Sequence, residues 1–167
     1  SRSCRQEVPA SRLGDPARLR SVKEVKAEIV GGMTARLQSL IADVERDAVR
    51  RSEDCYVDAL FSGCVALGAP MLSAKFPRAY LDVNREPFEL DPKMFIETLP
   101  SYVNSQSLRV GGGLGTIPRI VGDGVEIYRS RIPYSEALGR IETIYRPYHA
   151  ELKRLVVRAR QTHGEAV

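Results

Sequence analysis

The residues best suited to chemistry lie in "AYLDVNREPFEL", residues 79 to 90. Apolar and aromatic positions lead into Asp82, Asn84 and Arg85, and Pro87 ends the run. Arg85 offers a planar, two-pronged donor that matches a carboxylate, Asn84 adds a further donor, and Asp82 can hold the guanidinium in place. On residue types alone the stretch is either a site for a small acidic molecule or a charged strand end tied to its own loop. A second cluster, "RRSED", sets Glu53 and Asp54 side by side where an apolar-periodic segment begins. Such a pair can bind a metal or act as an acid, and it also suits the positive end of a helix dipole with no further role.

Other local motifs are sparse. The two histidines are His149 and His163. In "YRPYHAEL" a helical His149 reads as a boundary residue donating to a backbone group rather than as a metal ligand. No His-x-x-Glu, Cys–His pair or Gly-x-Ser-x-Gly elbow is present. Cys4, Cys55 and Cys64 are odd in number and irregularly spaced, which fits neither a disulfide framework nor a structural zinc site. Cys55 and Cys64 read as buried, inert thiols. "RVGGGLGTIPRIV" lacks the Gly-Lys-Ser/Thr of a phosphate loop and is either a tight turn beside a ligand or a plain flexible loop.

These residues must be positioned by elements that the apolar spacing suggests. A long amphipathic helix is expected over residues 21–50. Ser21 and Glu24 have capping-box spacing, and Val22, Val25, Ile29, Met33, Leu37, Leu40 and Val44 form its stripe. A second helix is expected from Ser52 to Leu67, with Val57, Leu60, Phe61, Cys64 and Val65 facing inward. Residues 69–76 and 79–84 read as short strands, 88–107 as an irregular excursion with a turn at Asp91-Pro92, and 125–133 as another strand. A closing helix capped by Ser135 should bury Ile141, Ile144, Tyr145, Tyr148, Leu152, Leu155 and Val156, with Pro147 bending or interrupting it. Gly164 ends that helix and "EAV" reads as the start of a strand.

Bulk properties narrow the class. The 167 residues are 43% hydrophobic and 28% charged, enough for one domain with a real core. No apolar run approaches the ~20 residues that span a bilayer, and "SRSCRQEVPA" lacks a signal-peptide core, so a cytoplasmic protein is expected. The net charge of +4 is spread along the chain, with aromatics at 7% and no nucleic-acid motif. Solvated helix faces account for that charge better than a nucleic-acid groove.

Taken together, "RRSEDCYVDALF", "LGAPMLSAKFPRAYLDVNREPFELDPKMF", "LPSYVN", "GGGLGTIPRIV", "EIYRSRIPYSEALGRI" and "YRPYHAEL" resemble the N-formylglutamate amidohydrolase family in order and spacing over about residues 51 to 163. The resemblance implies an α/β fold with a mixed sheet flanked by helices, a zinc-carboxypeptidase-like sandwich, incomplete at the C-terminus. It divides the chain into a loop-rich segment 1–20, an inserted helical segment 21–50 that would serve homo-oligomerisation, and a partial hydrolase domain over 51–167. The implied activity is hydrolysis of N-formyl-L-glutamate to formate and L-glutamate in histidine degradation. The implied partner is thus a small anionic N-acyl amino acid, with neither nucleic acid nor membrane. By the same resemblance Asn84 and Arg85 bind the substrate carboxylate, Arg119 lies near the substrate, and Glu53, or else Asp54, is a zinc ligand. Zinc bound in this way would polarise the amide carbonyl and bring its water's pKa towards ~7. The family's two ligand histidines, in Pro-His-Ser-Gly-like and Cys-His-Ser-like segments, have no counterpart here. The expectation is therefore of a truncated member or of one that binds without catalysing, a module derived from the same fold.

Overall fold

The computed structural model describes residues 54, 56–67 and 69–164. Segment 1–20, the expected helix over 21–50, Glu53 and the final "EAV" lie outside the described residues. In place of one helix to Leu67, two short ones occur, α1 (Val57–Leu60) and α2 (Ser62–Ala66). Tyr56 ahead of α1 has φ 65°, so the chain turns into the helix through a left-handed residue. Neither helix buries a residue. With only four and five residues, neither can lay a stripe across a core; Val57 and Phe61 instead wall a cleft. Cys64, expected to be buried, is exposed on α2.

Residues 69–76 and 79–84 do not form strands. The amides of Tyr80 and Leu81 both bond to the Pro77 carbonyl, which folds the second stretch into a turn. The Asp82 amide then bonds to the Thr116 carbonyl at 2.7 Å, so the turn hangs on the segment after the glycine run. The Asp91-Pro92 signal is realised as a 3-10 turn, Pro92–Met94, with Asp91 Oδ1 accepting from the Lys93 amide. Helix α3 (Leu108–Gly111) follows, capped by Ser107. Strands β1 (Ile120–Val121) and β2 (Val125–Glu126) then pair antiparallel, Ile120 opposite Glu126 and Val121 opposite Val125. Parallel bridges join Glu89 to Asn104 and Phe95 to Ile132. The described residues thus mix helices with a small antiparallel sheet, and the large mixed sheet expected from the resemblance is not among them. Strand 125–133 shortens to β2, with bridge residues at Tyr128 and Ile132.

Helix α4 spans Tyr134–Arg140, two residues earlier than a Ser135 cap implies, and no side chain of its own caps it. The Tyr134 amide donates instead to Glu97 Oε2 at 2.8 Å, a distant carboxylate doing the work expected of Ser135. A π turn, Ile141–Tyr145, leads directly into α5, Arg146–His163. Pro147 does not break the helix. It falls at the start of α5, just after a wider turn that relieves the ring's clash with the preceding turn and the loss of its N–H. Ile141 and Ile144 are buried as expected, but Leu152 and Val156 are exposed, so the buried stripe stops near Tyr148. No helix of the described residues is long and apolar enough to cross a membrane.

The core joins Ala79, Tyr80, Leu81, Leu90, Phe95, Ile117, Ile127, Ile132, Ala137 and Ile144. Arg140 lies at its centre, 2% exposed. Its guanidinium lies 4.0 Å over the Tyr80 ring, bonds Glu136 at 3.0 Å, and shares Nη1 between the Tyr80 carbonyl and the Tyr128 hydroxyl. A buried cation is tolerable only with such partners. It ties the turn that carries Asp82 to helix α4.

Candidate substrate-binding site

The Asp82–Arg85 turn is built around one buried carboxylate. Asp82 is 3% exposed. Its Oδ2 accepts from Arg78 Nε at 2.9 Å and lies 3.4 Å from Arg85 Nε, while Oδ1 accepts from the Asn84 amide at 2.9 Å. The local spacing explains the geometry: an Asp side chain that reaches the amide two residues on makes an Asx turn, which reverses the chain and leaves Asn84 outermost. Asn84 is exposed and Arg85 partly buried.

The glycine run proves to be a tight turn against this site. Gly113 has φ 74°, a left-handed conformation that favours glycine. A Cβ on Gly115 would lie 2.2 Å from the Glu89 carbonyl oxygen, so only glycine fits there. Arg85 Nε donates to the Leu114 carbonyl at 3.3 Å, and the Arg119 amide donates to the Gly113 carbonyl at 2.8 Å. Arg85 and Arg119 therefore meet the same glycine turn. The Arg119 side chain is already engaged, with Nε on Asp91 at 2.8 Å and Nη1 on Glu126 at 3.0 Å. The Asp91 hydrogen bond, more than the charges around it, raises the Arg119 pKa above its ordinary value against the pull of desolvation.

On the other side, a cleft of about 410 Å³ opens between α1, the 71–76 segment and the turn. Asp54, Asp58, Phe61, Arg78, Asn84 and Tyr148 are among its walls. Asp54 is exposed and lies 3.6 Å from Arg78, and Asp58 is paired with Lys75 at 2.8 Å. Burial raises the Tyr148 pKa, so its phenol stays protonated through neutral and mildly alkaline pH. The cleft thus sets the exposed Asn84 and the protonated Tyr148 phenol beside Arg78, which is paired with Asp82 and Asp54.

The expected site residues thus divide. Asn84 and Asp54 share the cleft, Arg85 and Arg119 share the glycine turn, and Glu53 lies outside the described residues. Among the described residues no three His, Cys, Asp or Glu side chains come together to hold a metal, and Asp54 alone does not fit a zinc ion. Two contributors escaped the sequence reading, Arg78 and Tyr145, whose hydroxyl donates to the Arg85 carbonyl. The only signal for Arg78 was its place four residues before Asp82. His149 does donate to a backbone group, the Val83 carbonyl at 2.9 Å, as its helical setting suggested.

The family model described as N-formylglutamate amidohydrolase matches residues 31–167. The crystal structure of N-formylglutamate amidohydrolase from Ralstonia eutropha JMP134, at 2.00 Å resolution, is 34% identical and superposes with a TM-score of 0.68. The match covers 75% of this chain and 44% of that one, so this chain spans less than half of the relative's length. No curated protein matches. A family match over most of the chain, joined to a solved relative of the same description at this identity, shows that the chain belongs to the N-formylglutamate amidohydrolase family.

Proposed function

We propose that this chain supplies the carboxylate-binding part of an enzyme that hydrolyses N-formyl-L-glutamate to formate and L-glutamate, acting in the cytoplasm within histidine degradation. The observation that carries the reading is the buried Asp82 carboxylate, which pairs with both Arg78 and Arg85, so that Arg78 and exposed Asn84 on the cleft wall are joined to Arg85 on the glycine turn beside it. Arg85 uses Nε on Leu114 and Nη1 on the Asn84 carbonyl, and its Nη2 makes no hydrogen bond within the described residues. That nitrogen and the side-chain N–H of Asn84 are the donors assigned to the substrate carboxylate. Fixing the guanidinium in advance removes the ordering cost from binding and holds the scissile formyl amide in one place. Arg119 supports the glycine turn beneath Arg85 and acts close to the substrate through it.

The zinc implied by the resemblance would draw on Glu53, or else Asp54, and the described residues alone do not complete a site for it. The larger carboxypeptidase-like sandwich belongs to the same proposal. The test is formate release from N-formyl-L-glutamate with added zinc, alongside calorimetric binding of L-glutamate. Arg85→Ala is expected to weaken glutamate binding at least tenfold, and Arg85→Lys to recover little of it, because an ammonium cannot make the two-pronged contact. Turnover or binding that ignores Arg85 would refute the assignment.

A further inference from the structure

The Asn84–Arg85 turn is gripped from behind by one helical face. The Tyr145 hydroxyl donates to the Arg85 carbonyl at 2.6 Å, and His149 Nε2 donates to the Val83 carbonyl at 2.9 Å. These two carbonyls flank Asn84 in the chain. A carbonyl can only accept, which places the ring proton of His149 on Nε2. Tyr145 and His149 are four residues apart and so share a face, and their rings stack at 4.2 Å between centroids with a 33° tilt. Neither ring can swing away without displacing the other. Tyr148, a wall of the cleft, meets the edge of the His149 ring at 5.5 Å.

The π turn has a direct part in this arrangement. One extra residue in a turn advances the helix beyond it by about 100°. The Ile141–Tyr145 turn ends at Tyr145 itself, so it sets the face on which both rings meet the 83–85 backbone.

We propose that Tyr145 and His149 are positioning residues for carboxylate recognition. By fixing the carbonyls on either side of Asn84 they fix the direction in which Asn84 and Arg85 present their donors. The inference rests on the carboxylate-binding role proposed for that segment. Neither residue touches the substrate in this account.

The experiment compares Tyr145→Phe, His149→Ala and His149→Gln in the full chain. Amide hydrogen exchange is followed at residues 83–86 and at Ile117 and Ile127 in the core, and L-glutamate affinity is followed by calorimetry. Tyr145→Phe and His149→Ala are expected to speed exchange at Asn84 and Arg85 at least tenfold, with the core amides unchanged, and to weaken glutamate at least fivefold. His149→Gln, whose side-chain N–H reaches the same carbonyl, should return both values to within twofold of the parent. Faster exchange with unchanged glutamate affinity would reduce the pair to fold support and overturn the proposal, as would unchanged exchange. A parent chain that binds no glutamate would sink the carboxylate reading itself, and the positioning role with it. Should His149→Ala fail to fold, Tyr145→Phe decides the matter, since it removes a single oxygen.

Discussion

Asp82 concentrates several obligations on one carboxylate, accepting from Arg78 and the Asn84 amide while facing Arg85. At 3% exposure it has almost no water to replace a lost partner. Asp82→Asn keeps the shape but removes the charge and points an amide N–H towards guanidinium groups. It is expected to lower stability by on the order of 2 kcal/mol in urea unfolding and to weaken glutamate binding as well. An unchanged unfolding midpoint would show that the cluster contributes nothing net. This much of the site was legible in the sequence because Asp82, Asn84 and Arg85 lie within three residues of one another, where side-chain reach alone decides who can meet. The partners of Arg119 were not legible in that way. Asp91 is 28 residues away, and only the folded chain brings it to 2.8 Å. Tyr145 was read from its period as a core position, and its hydroxyl bond gave no signal of its own.

Among the elements, the glycine turn shows why shape is harder to read than periodicity. A run of glycines permits many conformations, and the choice between a loose loop and a packed turn was made by the Glu89 backbone against Gly115. Gly115→Ala should therefore cost on the order of 1–3 kcal/mol through overpacking against backbone. Gly139→Ala in α4, where an added Cβ meets nothing within 4 Å, should stabilise by about 0.5–1 kcal/mol. Thermal unfolding of the two variants checks the pair, and a neutral Gly115→Ala would mean the turn can shift. The closing helix was legible because its 3.6-residue period runs long enough to average out exceptions. The expected strands at 69–76 and 79–84 were not: apolar alternation says which side a residue favours and nothing about whether a neighbouring strand exists to pair with it. The π turn likewise leaves no mark in the apolar pattern, which runs on unbroken through Leu152, Leu155 and Val156.

At the scale of the molecule, a group of phenols responds to alkali together. Burial raises the pKa of Tyr128, Tyr145 and Tyr148, and burial with the Tyr102 hydrogen bond raises that of Tyr134 to about 12. A raised folded-state value means that the native chain keeps protons the unfolded chain releases near pH ~10. Their stabilising contribution is complete below that pH and is lost as pH climbs through the native values. Absorbance titration near the tyrosinate band should show delayed ionisation in the native protein and ordinary ionisation in urea; coincident curves would contradict the burial. Net charge and composition predicted none of this, because they count groups without locating them. The grip on the Asn84–Arg85 turn has a last consequence, for the order in which the chain takes shape. Tyr145 and His149 follow their carbonyl partners by 60 and 66 residues. Contacts that close loops of this length form late, after the entropy of bringing distant segments together has been overcome. During synthesis the turn emerges early but is organised late, and a nascent chain that stops short of Tyr145 carries Asn84 and Arg85 without either of the two bonds that hold their backbone.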